Sequence, residues 1–213
     1  MFKTCMAVAV AMSLSLGPVA AATINVDLSG ASTDTLITAP GASFAQTFLG
    51  QTVSGIGISG VPTGPLTLSA SGSIQVAGFN PGVSPSGNSL LSQPGNAAPL
   101  SVLLDGLASA ITWTMGSADG GTSVTVDFFE ADGDLVNTVV QTLSFDYAVY
   151  SITAAGAFAG FTIRDNNDGS GLRHMNFSYE EATTTPEPAS LGLLGVALLG
   201  LARLRRRAAA SPR

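Results

Sequence analysis

Within the strand-like stretch Thr122 to Glu130 the chain alternates from Ser123 to Phe128, with Val124, Val126 and Phe128 on one parity and Ser123, Thr125 and Asp127 on the other. That period puts every apolar side chain on one face of an extended strand and does not make a helical stripe. Asp132-Gly133 follows, a pair that accepts the positive φ of a tight hairpin, and Leu135 to Phe145 returns. The same period recurs at Ile111, Trp113 and Met115, and again at Met175, Phe177 and Tyr179 against His174, Asn176 and Ser178. Tyr147 to Ala154 and Phe158 to Arg164 read as two more short strands. Thr23 to Leu28, Phe44 to Ile58, Leu66 to Ala70, Ser73 to Ala77 and Pro99 to Leu104 are weaker ones. No helical period occurs between residues 23 and 182, so the expected class is all-β, a single β-sandwich or barrel. Gly78 to Ala98 carries Pro81, Pro85 and Pro94 among glycines and serines, and reads as a long surface loop.

The two ends have a different composition. Lys3 is followed by an apolar run from about Met6 to Leu16, then Gly17-Pro18 and Ala20-Ala21-Ala22. This is the layout of a secretory signal helix with an A-x-A cleavage site formed by Ala20 and Ala22, cut after Ala22. Removal of residues 1–22 also removes Cys5, the only cysteine, so the exported domain has neither a disulfide nor a thiol. At the other end Pro186-Glu187-Pro188 precedes the apolar stretch Ala189 to Ala202, which precedes Arg203, Arg205, Arg206 and Arg207. A helix over that stretch spans about 21 Å at ~1.5 Å per residue, short of a ~30 Å bilayer core. The arginines should stay on the cytoplasmic side, leaving the preceding domain on the far side, held only transiently at the inner membrane. A simple C-terminal membrane anchor is the other reading.

With its three elements in this order, the tail resembles the PEP-CTERM sorting signals of Gram-negative bacteria. The resemblance implies recognition by an exosortase, cleavage near the motif, and a host that makes exopolysaccharide or biofilm. The expected organisation is a signal peptide over 1–22, a β-sandwich domain over 23–182, and a spacer with the sorting signal over 183–213. From Ala108 onward the order of elements is similar to the jelly-roll domains of galactose-binding and carbohydrate-binding modules. It rests on Phe128 to Gly133 and the closing strand Leu172 to Tyr179. The Asp-Asp pair that often ends such domains is not preserved; His174 to Asn176 stand there.

Charge narrows the partners. Residues 23–182 keep only Arg164 and Arg173 as basic groups against thirteen acids, a net charge near −11. Such a field repels nucleic acid and anionic lipid and attracts cations. Asp165-Asn166-Asn167-Asp168-Gly169-Ser170-Gly171 is an oxygen-rich loop in which Asp165, Asn167 and Asp168 could hold calcium, the one cofactor considered, although the same residues serve a plain turn. Glu130, Asp132 and Asp134 form a second acidic cluster; the hairpin turn accounts for Asp132-Gly133, and the acids could serve glycosidase chemistry only if two carboxylates faced one cleft. No catalytic residue is assigned. His174 is the only histidine, no G-x-S-x-G elbow or HExxH motif accompanies it, and its parity predicts a solvent-facing structural role. Trp113, Tyr147, Tyr150, Phe161 and Tyr179 could stack on sugars, but their spacing favours the core, with one of Tyr147 and Tyr150 facing out.

These signals lead to a non-catalytic extracellular or cell-surface protein, a structural or binding component of an exopolysaccharide or biofilm matrix. The alternatives are a calcium-dependent, lectin-like carbohydrate-binding module and a secreted hydrolase. The expected partners are the secretion machinery and exosortase during processing, then exopolysaccharide, and no nucleic acid.

Overall fold

The computed structural model describes residues 21–55, 57–77, 88–93, 98–117, 123–144, 147–166 and 172–183. The chain divides into two units, Met1–Ala182 and Thr183–Arg213, and almost all described residues belong to the first. Among them are fourteen strands and no helix. In chain order they are β1 Thr23–Asn25, β2 Ile37–Ala39, β3 Ala42–Ala45, β4 Thr47–Phe48, β5 Thr52–Ser54, β6 Gly57–Ser59, β7 Leu68–Ser69, β8 Ser73–Ala77, β9 Ser89–Gln93, β10 Leu100–Ser117, β11 Ser123–Phe129, β12 Leu135–Thr142, β13 Ala148–Asp165 and β14 Leu172–Glu181. The all-β expectation therefore holds for the described residues. The two flanking helices fall on residues outside them.

Ten strands form one sheet, in the order β12-β11-β13-β10-β14-β9-β8, with β1 on β14 and the β2-β3 hairpin on β10. The long strands β10 and β13 run antiparallel to each other from Leu100↔Ile163 to Met115↔Ala148, with register shifts around Ala108. Those shifts divide the sheet. Before them, β10 pairs β3 at 101–104, and the matching end of β13 pairs β11. After them, β10 pairs β14 at 108–117. A bulged stretch lets a strand bend and pass from one layer to another.

The two halves close over one core. Phe177 on β14 packs against Phe44 of β3 at 5.3 Å and Phe161 of β13 at 6.5 Å between ring centroids. Phe128, Phe158 and Phe161 form a second aromatic group in the same cluster, at 4.7 to 6.3 Å. The parity expected for Val124, Val126 and Phe128, and for Ile111, Trp113 and Met115, is the parity observed: all six are buried together. A smaller cluster of Phe48, Leu66, Phe129 and Ala159 joins the segment around β4 to a different patch of β11 and β13.

The structure corrects several boundaries. Pro99–Leu104 and Ile111–Met115 are one strand, as are Tyr147–Ala154 and Phe158–Arg164, because the ladder continues through the bulged region. Phe44 to Ile58 is cut into four short strands at turns that include Gly50 and Gly55, both at positive φ. Within the expected loop Gly78 to Ala98, Ser89–Gln93 is a strand paired with β8; residues 78–87 and 94–97 lie outside the described set. The Asp132-Gly133 turn is present, with Gly133 at φ 93°.

Phe177 touches both halves, so its truncation leaves a void where they meet. Phe177→Ala should cost about 3–5 kcal/mol, read as a lower midpoint in urea unfolding with the slope unchanged.

Candidate functional site

The last strand carries the feature that sequence parity did not reveal. Asn176 has φ 51°, the only positive value for a non-glycine residue among those described. On β14 the register moves from Thr112↔Ser178 to Thr114↔Met175, so Asn176 is the extra residue of a bulge. Beyond a one-residue insertion every side chain changes face. Tyr179 and Phe177 point into the core, and past the bulge Leu172 and His174 do so instead.

His174 is therefore buried, at 3% exposure, and not solvent-facing as its sequence parity predicted. It pairs with Met115 on one side and Leu90 on the other and stacks on Phe177 at 6.4 Å. Its Nδ1 is buried without a hydrogen-bond partner. Burial alone pushes its pKa down to about 3 from 6.5. A neutral imidazole enclosed in this way offers no general base to a bound substrate.

The bulge also contributes Asn176 to a recess of about 180 Å³ lined by Val26, Asp27, Leu28, Ser29, Asn88 and Asn176. It is large enough to admit water or a small polar group. Its lining comes from three distant parts of the chain. Val26 N–H donates to Phe177 O at 2.9 Å, which fixes the segment after β1 beside the bulge. Asn88 Nδ2 donates to Leu28 O at 2.8 Å and ties the entry of β9 to the same segment. Asn176 Nδ2 donates to Thr114 Oγ1 at 3.4 Å. Asp27 Oδ1 accepts the Ser29 backbone N–H at 2.9 Å, and that bond holds the exposed Asp27 carboxyl below the ordinary carboxylate range. The recess thus combines a fixed anion, two amides, a hydroxyl and apolar walls, donors and acceptors suited to a neutral polyol.

The sequence singled out none of these recess residues. Asn and Asp at turns are too common to signal a site, and their meeting depends on the β1–β14 pairing. Of the aromatics proposed as stacking platforms, Trp113, Phe161 and Tyr179 are buried in the core. Tyr150 turns toward Trp113, at 6.1 Å, and its hydroxyl accepts the Ser144 N–H at 2.8 Å. Tyr147 lies over Gly116, where a Cβ would come within 2.5 Å of the ring, so glycine is required there. Glu130, Asp132 and Asp134 surround the hairpin turn and are all exposed. Asp134 N–H donates to Asp132 Oδ1 at 3.1 Å, and Gly133 N–H donates to the Glu130 backbone carbonyl at 3.1 Å, so the Asp132 side chain serves the turn.

Asp165 ends β13 opposite Val124 and is 6% exposed. Asn167 and Asp168, its expected partners for calcium, lie outside the described residues, and no group of three His, Cys, Asp or Glu side chains suited to a metal occurs among the described ones. Arg164 is committed elsewhere: its Nε and Nη2 reach Asp127 Oδ2 at 2.9 and 2.6 Å, while Thr138 Oγ1 donates to Asp127 Oδ1 at 2.7 Å. This ties β11, β12 and β13 together. Ala20 and the motif residues Pro186, Glu187, Pro188, Arg203, Arg205, Arg206 and Arg207 lie outside the described residues, whereas Ala22 is described and immediately precedes β1.

Comparison with known proteins decides the tail. Residues 184–207 match the model of the PEP-CTERM protein-sorting motif. The chain carries a PEP-CTERM signal. That signal implies export, processing by an exosortase, and a cell-surface or extracellular destination. No curated protein matches the chain. Among solved structures, it is similar to a family 29 carbohydrate-binding module from Piromyces equi, at 11% identity over 82% of this chain and 99% of that one, with a TM-score of 0.43. It is also similar to the C-terminal family 6 module of a marine laminarinase from Zobellia galactanivorans, at 15% identity over 51% and 88%, with a TM-score of 0.34. A family 29 module mutant solved with mannohexaose gives 12% identity over 76% and 92%, with a TM-score of 0.39. At such identities and scores neither ligand nor site carries over from them.

The buried histidine makes a pH prediction. The native state resists protonating His174 until about pH 3, whereas the unfolded chain takes that proton near 6.5. The stabilisation is complete above about 6.5 and is lost progressively as pH falls toward 3. His174→Leu should change stability by less than about 1.5 kcal/mol at pH 7 and flatten its fall in acid, measured by urea unfolding at a series of pH values.

Proposed function

We propose that this is a non-catalytic surface protein that serves an extracellular polysaccharide matrix. Its β-domain, a jelly-roll-like sandwich in this reading, binds a neutral glycan at the recess formed by Asp27, Ser29, Asn88 and Asn176. The observation that carries the reading is the PEP-CTERM motif at 184–207 on a chain whose described residues form an all-β domain built on one ten-stranded sheet. The chemistry of the recess supports the choice of ligand. Amides and a carboxylate that stays ionised can share the paired hydroxyls of a sugar, and Val26 and Leu28 supply apolar contact. A domain charge near −11 favours uncharged glycans over acidic ones.

The non-catalytic part rests on His174. With the one imidazole shut in the core, the hydrolase reading loses its histidine base, and of the exposed acids at 130–134 the Asp132 carboxylate is engaged in the turn. Anchoring at the inner membrane by residues 189–202 during processing belongs to the same proposal, while calcium held by Asp165, Asn167 and Asp168 belongs to the alternative, a calcium-dependent lectin-like module.

A glycan array probed with the mature protein tests this, with and without chelator. Binding to neutral hexose polymers that Asp27→Ala or Asn88→Ala weakens about tenfold or more, the worth of one or two hydrogen bonds to a charged or amide group, is the expected result. Binding lost in chelator favours the calcium-dependent form. No binding to any glycan would refute ligand recognition and leave a purely structural matrix role.

A further inference from the structure

The leader's cleavage point sits inside a strand pairing. Ala22 O, the carbonyl oxygen of the bond to be cut, accepts the backbone N–H of Glu181 at 2.9 Å. One residue on, Thr23 Oγ1 donates to Glu180 Oε1 at 2.8 Å, and the register continues as Thr23↔Glu180, Ile24↔Tyr179 and Asn25↔Ser178. Val26 N–H to Phe177 O closes the ladder. Pairing on both sides of the Ala22–Thr23 bond holds it in the edge of the folded sheet.

A peptidase needs that same oxygen. Hydrolysis adds one water across the Ala22–Thr23 peptide bond, leaving a carboxylate on Ala22 and an ammonium on Thr23. The charge developing on the Ala22 oxygen must be met by donors of the enzyme, which take the segment in extended form. While Glu181 N–H occupies this oxygen and β14 occupies the strand edge, the enzyme cannot supply them.

We infer that β1 docking on β14 is a latch: the leader can be removed only before the first strand pairs with the last one. This rests on the reading of Ala22 as the final residue of the leader. Chain order supplies the timing. Among the described residues the only strand that β1 pairs is β14, 157 residues further along at the Thr23–Glu180 contact. The cleavable bond therefore stays open until essentially the whole domain has crossed the membrane, and it closes when the C-terminal strand arrives. A precursor that folds before cleavage would keep its leader, and the domain's first and last strands would then sit side by side with both sorting segments attached.

Full-length precursor, folded in detergent and treated with purified signal peptidase, tests the latch. Glu181→Pro removes the N–H that holds Ala22 O and leaves the cleaved segment unchanged. Val26→Pro removes the other end of the ladder, in case the first variant fails to fold. Folded wild-type precursor should be cut at least about tenfold more slowly than either variant, because cutting tracks the undocked population. N-terminal sequencing of the product should give Thr23. Equal rates with a Thr23 terminus would overturn the latch, while a different terminus would overturn the leader reading beneath it. Hydrogen exchange provides a measurement free of variants: an unprotected Glu181 amide in the folded precursor also overturns the latch.

Discussion

The antiparallel pairing of β10 with β13 supports everything else in the domain. These two strands run side by side from Leu100↔Ile163 to Met115↔Ala148, and each half of the sheet is built outward from one end of the pair. At one end they seat β3 and β11; at the other β10 seats β14, which in turn seats β1 and β9. Because one pair serves both layers, the strands of the two halves are joined in one sheet through it. The price is sequence distance, since the contacts join residues up to about sixty positions apart and must offset the entropy of closing that loop.

Within this frame a single inserted residue decides the local chemistry. Without Asn176 the alternation of β14 would leave Met175 inward and His174 in solvent. The bulge instead buries His174 as well as Met175, which places an imidazole between Leu90 and Met115 and puts Asn176 in the lining shared with Asp27 and Asn88. One backbone distortion thus removes the only histidine from solvent and supplies a wall of the polar recess. Residues in sparsely populated backbone regions persist where the surrounding structure over-determines them, and here β10 on one side and β1 with β9 on the other do so.

The first and last strands of the domain, Thr23–Asn25 and Leu172–Glu181, pair with each other, and the sorting motif at 184–207 follows the last one within a few residues. The charges of the chain are unevenly divided. Six of the eight basic residues belong to segments 1–22 and 183–213, and of the two that remain Arg164 is held by Asp127. Apart from the partly exposed Arg173, the charge left on the domain is acidic.

Much of this was legible in the residue order, and the rest was not, for a definite reason. Period-two alternation, Asp132-Gly133 and the absence of a helical stripe determined an all-β domain and the inward faces of β10 and β11, because those features act over a few neighbouring residues. The Pro-Glu-Pro, apolar and arginine elements determined the sorting signal, because an enzyme reads them as linear sequence. Sequence did not determine that Ser89–Gln93 pairs with β8, that β10 and β13 run on through their bulges, or that His174 is buried. Nor did it join Asp27, Asn88 and Asn176, which are separated by about sixty to ninety positions. Those outcomes depend on register between distant strands, and a shift of one residue there exchanges the two faces of a strand without leaving a mark on its composition. Only the tertiary structure could decide them.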